Sequence, residues 1–133
     1  MTFLRMKLLM LFIISAGICY AGEITVGTGG DYNSITEALE GKTGGNAVIR
    51  ILDELHVECG IIINRNVKIT GAGMHQTVIA GSTEREGASD RVFFVTESGR
   101  LELRDLAVSH GKPSSVPLCG GGIANEGYLL MQN

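Results

Sequence analysis

Apolar residues in this chain gather in short runs separated by glycine, asparagine or serine, some alternating with polar residues and several apolar on consecutive positions, as strands buried on one face or as buried parallel strands would be. Alternation of this kind marks strands with one buried face. These runs predict strands over 23–26, 47–52, 55–57, 60–63, 67–70, 77–80, 92–95, 101–108 and 128–131, most of them rich in β-branched residues or leucine. The stretch from 91 to 111, RVFFVTESGRLELRDLAVSHG, carries the most information. After an apolar run at 92–95 and a turn signal at Ser98–Gly99, Leu101 and Leu103 alternate with Glu102 and Arg104. Leu106 and Val108 then fall on the opposite parity, so a straight strand cannot bury all four, and a bend or bulge is expected near Arg104 and Asp105. Short strands joined by corners satisfy this pattern. A β-hairpin turning at 97–100 satisfies part of it.

Only one segment reads as a helix. Ser34 and Glu37 have capping-box spacing, Ile35, Ala38 and Leu39 form an apolar stripe, and Gly41 supplies a stop. So short a helix at the start of a strand-rich chain suits the open end of a β core, which it would cover. A nucleotide-binding strand–loop–helix is the rival reading, but Tyr32 stands where its third glycine is required. Three later segments, beginning at Val67, Leu101 and Tyr128, look alike at irregular intervals, as coils with loops of unequal length would.

Composition sharpens this picture. Nineteen of 133 residues are glycine, about twice the usual ~7%, and their placement between apolar runs indicates many tight turns. Aromatic content is 5% with no tryptophan, and the net charge is −3, which together argue against a nucleic-acid partner. Residues 1–21 read as a signal peptide: Arg5 and Lys7 precede an apolar run at 8–14, with small residues at Cys19 and Ala21 before a cleavage position. That run is too short for the ~20 residues of a membrane-spanning helix, so no transmembrane segment is expected in the mature chain. Cleavage would remove Arg5 and Lys7, leaving 9 basic and 14 acidic residues and a net charge of −5. Residues 22–46 then form an N-terminal strand and capping helix, and 47–133 the strand-rich remainder. Cys59 and Cys119 survive cleavage; they either pair as a disulfide in an oxidising compartment or serve as small buried apolar groups.

These segments resemble a known family. GGDYNSITEAL at 29–39, followed by 67–73 and 101–111, is similar to the opening of right-handed parallel β-helix proteins of the pectin lyase-like superfamily. The resemblance implies an all-β solenoid of short parallel strands with a short N-terminal capping helix. The GGGI at 120–123 and LMQN at 130–133 resemble repeats of polymorphic outer-membrane proteins and related bacterial adhesins, with Gly122 in place of the usual alanine and Leu130 in place of the usual phenylalanine. A solenoid ending directly after a strand leaves its last rung open, so the chain reads as truncated or as associating end to end through that rung.

Candidate chemistry is sparse. Asp53, Glu54, Glu58, Asp90 and Asp105 form no calcium-loop spacing and read as solvated or corner carboxylates. His56 and Cys59 lack the second pair of a zinc site, and His75 has no evident partner. Ser109 and His110 are neighbours on an extended chain and point to opposite faces, which spoils a triad with Asp105. No catalytic, metal or cofactor-binding set is therefore assigned. The expected role is an exported or cell-surface protein, extracellular or at the outer membrane, that contacts a polysaccharide or a host or cell-surface ligand. The alternative is the N-terminal part of a polysaccharide lyase or esterase. Overall acidity disfavours an anionic polysaccharide unless Arg85, Arg91, Arg100 and Arg104 gather on one side.

Overall fold

The computed structural model describes residues 22–41, 45–113 and 121–133. The alternation is realised as eleven short strands and one helix among these residues: β1 (Glu23–Val26), α1 (Ile35–Gly41), β2 (Ala47–Ile51), β3 (Leu55–Val57), β4 (Ile61–Ile63), β5 (Asn66–Thr70), β6 (Val78–Ala80), β7 (Phe93–Val95), β8 (Arg100–Arg104), β9 (Ala107–Ser109), β10 (Ile123–Asn125) and β11 (Tyr128–Gln132). Among the described residues the fold is all-β apart from α1. Every pairing between these strands is parallel. They form a five-stranded sheet A in the order β1-β2-β5-β8-β11, a three-stranded sheet B in the order β3-β6-β9, and a three-stranded sheet C in the order β10-β7-β4. From β2 onward the chain visits A, B and C in turn and returns to A, so each strand pairs with the strand three places later.

The core follows from the register. In sheet A, Ala47, Val67, Leu101 and Leu129 stack in one inward column, and Ile24, Ile49, Ile69 and Leu103 in the next, which Met131 of β11 continues in register while 46% exposed. Ile61 and Phe93 of sheet C and Ile79 of sheet B are buried with them, and the residues of all three sheets make a common apolar cluster. Apolar side chains one rung apart are cross-strand neighbours, and such pairs are the unit of packing along each column. The three similar segments seen in the sequence are β5, β8 and β11, which are consecutive in sheet A. Their alignment shifts by one residue at the last: Tyr128 pairs with Arg100, and Leu129 takes the inward place beside Leu101.

The parity break at Asp105 is a corner. Asp105 has φ of 55°, between β8 in sheet A and β9 in sheet B, and Leu106 is 2% exposed immediately after it. The expected 101–108 strand is therefore two strands, because one positive-φ residue lets Leu103 and Leu106 both face inward. The hairpin alternative at 97–100 is overturned: β7 belongs to sheet C and β8 to sheet A, each pairing only in parallel. Gly99 turns this corner so close to the preceding rung that a Cβ there would run into the carbonyl oxygen of Ile63. Gly99→Ala is expected to cost about 2 kcal/mol by overpacking against backbone, read as a lowered urea midpoint with an unchanged slope. A midpoint equal to wild type would mean that the corners do not stack this tightly.

Helix α1 begins as its capping signal predicts, with the Glu37 N–H donating to Ser34 Oγ at 3.1 Å. Ile35 and Ala38 are fully buried against the end of the core. Gly41 is the last helical residue rather than the residue after it. Strand β10 escaped the sequence reading, because IAN is too short and too polar to register as a periodic run. The signal-peptide segment 1–21 and Cys119 of the proposed disulfide lie outside the described residues; Cys59 is half-buried, with Sγ 3.5 Å from Ser89 Oγ. Among the described residues no helix is long and apolar enough to cross a membrane.

Candidate functional site

Sheet A has five strands and turns its other face outward. Because inward positions are odd-numbered in β2, β5 and β8, the even-numbered Arg50, Lys68, Arg100 and Arg104 all stand on the outer face. Two carboxylates accompany these four cations, Glu23 and Glu102. Register sets their neighbours: Glu23, Val48, Lys68 and Glu102 form one row, and Thr25, Arg50, Thr70 and Arg104 the next. Lys68, Arg100 and Arg104 thus lie on two adjacent strands, about 4.8 Å apart in the pairing direction.

Glu102 reports the local field. Its carboxyl is held below the ordinary glutamate value chiefly by the hydrogen bond from Arg104 Nε at 2.6 Å, which desolvation opposes, with further help from the charges of Arg104, Lys68 and Arg100. Arg50 Nε meets Glu23 Oε1 at 3.2 Å. Arg100 lies over the Tyr128 ring, 4.0 Å from its centroid, a cation–π contact that braces the guanidinium above sheet A. Lys68 makes no hydrogen bond or ion pair among the described residues. A shallow groove of about 250 Å³ runs across this face, bordered by Asn46, Val48, Asn66, Lys68, Arg100 and Glu102. Two amides and two cations on an open sheet can accept hydroxyl and carboxylate groups at once.

The arginines considered from sequence separate. Arg100 and Arg104 share this face, whereas Arg85 lies in an exposed turn and Arg91 is buried, its guanidinium 5.9 Å from the centroid of the Phe94 ring in sheet C. Arg50 and Lys68 take the places of the other two. They were legible only as isolated charges until the pairing of β2, β5 and β8 put them in adjacent rows.

The other residues singled out from sequence are dispersed. Asp53 Oδ2 accepts the Thr28 N–H at 3.0 Å, Asp90 Oδ1 accepts the Arg91 N–H at 2.7 Å, and Glu54 and His75 are exposed. His110 turns its Nδ1 to the Ser82 carbonyl at 3.1 Å, away from any triad with Ser109 and Asp105. Among the described residues no three of histidine, cysteine, aspartate and glutamate come together as a metal site.

Glu58 departs from the expected solvated carboxylate. Its side chain is 11% exposed and reaches under α1. Oε1 accepts the Ile35 N–H at 2.7 Å and lies 2.8 Å from His56 Nε2, while Oε2 accepts the Thr36 N–H at 2.9 Å and the Thr36 hydroxyl at 2.6 Å. Burial pushes this carboxyl up, and the hydrogen bonds from His56, Thr36 and Ile35 more than offset it, so its pKa is lowered. At the other end of the helix, Arg65 donates to the Leu39 carbonyl. A carboxylate at the N-terminus and a guanidinium at the C-terminus both oppose the helix dipole. The His56 and Cys59 considered from sequence thus turn to different partners: His56 Nε2 to Glu58, which holds α1 in place, and Cys59 Sγ to Ser89 Oγ. No protein family, curated protein or solved structure matches this chain.

Proposed function

We propose that this protein is an exported binding module, a right-handed parallel β-helix whose outward sheet A face contacts an anionic polysaccharide at the cell surface. The observation that carries the reading is the gathering of Arg50, Lys68, Arg100 and Arg104 on one flat face of a chain that is acidic overall. Three parallel sheets visited in fixed rotation support the solenoid, and the twist of strands makes parallel crossovers right-handed in nearly all proteins. The basic n-region and apolar run of residues 1–21 support export. A polyanion laid across the strands would meet a cation at successive rungs, and an extended sugar chain advances by a similar step.

The test is calorimetric titration of the protein with polygalacturonate and with its fully methyl-esterified, uncharged form. Binding of the anionic polymer at low salt is expected to weaken at least tenfold between 50 and 500 mM NaCl, as contacts screened within a Debye length of ~10 Å at 0.1 M would. The double variant Lys68→Glu, Arg100→Glu is expected to abolish it without changing the far-UV spectrum. Equal binding of the uncharged polymer, or full retention of binding by the double variant, would refute this face as the contact surface.

A further inference from the structure

The charges on the outer face of sheet A fall in a definite pattern. Paired residues form rows that run from strand to strand: Thr25, Arg50, Thr70, Arg104 and Gln132 make one, and Glu23, Val48, Lys68, Glu102 and Leu130 the row beside it. A third row holds Asn66, Arg100 and Tyr128. Strands β2, β5 and β8 each contribute a cation, yet in no row do neighbouring strands both carry one. Arg50 and Arg104 are separated by the uncharged Thr70, two strand spacings or roughly 9.6 Å. Lys68 is followed on the next strand by a carboxylate.

That carboxylate, Glu102, stands where a continuous strip of positive charge would otherwise form. Lys68 is its partner in register, and Arg100 and Arg104 lie two residues to either side of it on the same face. Its Oε1 accepts from Arg104 Nε at 2.6 Å, whereas no described residue donates to Oε2. The side chain is 26% exposed and borders the shallow groove together with Lys68 and Arg100. Its neighbours keep it ionised, because their hydrogen bond and charges hold its carboxyl below the ordinary glutamate value. The β1 end of the face is acidic too: Glu23 meets Arg50, and Asp31 accepts from Thr25.

We infer that this face selects a polymer with an anionic group on every second unit, an alternating copolymer of acidic and uncharged sugars, and that Glu102 is the residue that disfavours an anion on every unit. The inference rests on the polyanion reading of the same face and names the kind of polyanion. A sugar unit advances by close to one strand spacing, so an anion seated on Lys68 places the next unit over Glu102. If that unit is charged it meets a like charge. If it is uncharged, its hydroxyls donate to Oε2. Along the neighbouring row, alternate acidic units fall on Arg50 and Arg104 and an uncharged one on Thr70. Discrimination of this kind comes from a repulsive group set against the wrong ligand as much as from attraction to the right one.

The experiment compares hyaluronate, in which an acidic and an uncharged sugar alternate, with polygalacturonate, in which every sugar is acidic, by calorimetric titration at one low salt concentration. Per carboxylate, the protein is expected to bind hyaluronate at least about threefold more tightly, a difference within the range of one exposed charge pair. Glu102→Gln keeps an acceptor for Arg104 and removes the charge; it is expected to tighten polygalacturonate at least about threefold, leave hyaluronate unchanged and so erase the preference. Thr70→Lys, which fills the gap between Arg50 and Arg104, is expected to move the preference in the same direction. Equal or tighter binding of polygalacturonate by the wild-type protein would overturn the inference, as would a preference that neither variant shifts. Weaker binding of both polymers by Glu102→Gln would also overturn it, since Glu102 would then act only by holding Arg104. Binding of neither polymer would refute the polyanion reading itself, and the inference with it.

Discussion

Glu58→Ala is expected to destabilise the protein by about 4 kcal/mol, as removal of one member of a buried hydrogen-bonded charge network does. Four donors converge on that carboxylate, and it is the contact through which the segment between β3 and β4 holds the N-terminus of α1. Without it the Ile35 and Thr36 N–H groups lose their acceptors at a helix end, where a lost cap alone costs about 1 kcal/mol. Loosening α1 then uncovers Ile35 and Ala38 and the end of the core they close. Hydrogen exchange should register this locally: the Ile35 and Thr36 amides should lose protection before those of β5 or β8. Should the variant unfold within 1 kcal/mol of wild type with those amides still protected, the clamp is not what holds the helix.

The same carboxylate gives a pH dependence of definite sign. Its pKa is lower in the folded protein than the ordinary value, so its stabilisation is complete above the ordinary glutamate pKa of ~4.3 and is lost as pH falls through the lower folded value. Glu58→Gln should therefore flatten the fall in stability on acidification below about pH 5. Some slope should persist. Asp31, held low mainly by the Thr25 N–H and then its hydroxyl, and Glu102, held low by Arg104, also lose their bonds on protonation. An acid slope identical in wild type and Glu58→Gln would rule out the inferred titration.

Phe93→Ala is expected to cost a further large amount, about 4 kcal/mol, through the cavity it leaves. Phe93 is the largest fully buried side chain, 0% exposed, and stands in one column with Ile61 below and Ile123 above. Neither neighbour can collapse into the space, because each is fixed by its own strand pairing. Its sequence neighbour is the control. Phe94 faces outward and is half-buried, so Phe94→Ala should cost about 1 kcal/mol, for loss of partial burial and of the contact with Arg91. Equal losses at 93 and 94, measured by urea unfolding, would contradict the alternation of sheet C.

Much of the fold was legible in the residues because alternation is local. Short β-branched and leucine-rich runs between turn residues placed most strands to within one or two residues, the apolar stripe of Ile35, Ala38 and Leu39 located α1, and the switch of parity after Leu103 announced the corner at Asp105. Partnership was not legible in this way. Whether β7 and β8 were two arms of a hairpin or members of different sheets depends on contacts about thirty residues apart in sequence, such as Val67 with Leu101. No periodicity encodes them.

The candidate sites divide along the same line. By itself the sequence determined that the chain is a strand-rich, glycine-cornered protein with acidic excess and no recognisable catalytic or metal-ligand spacing. Only the tertiary structure decided which charges become neighbours. Arg50, Lys68 and Arg100 come from three separate runs and share a face because parallel register puts equal parities on the same side. Glu58 looked like a solvated carboxylate because its partners, Ile35 and Thr36, lie more than twenty residues earlier and donate through backbone N–H groups, which have no sequence signature. The backbone groups of Ile62 that face away from β7 are likewise a property of pairing: a parallel ladder turns alternate residues the other way, and among the described residues no strand lies beyond β4 in sheet C.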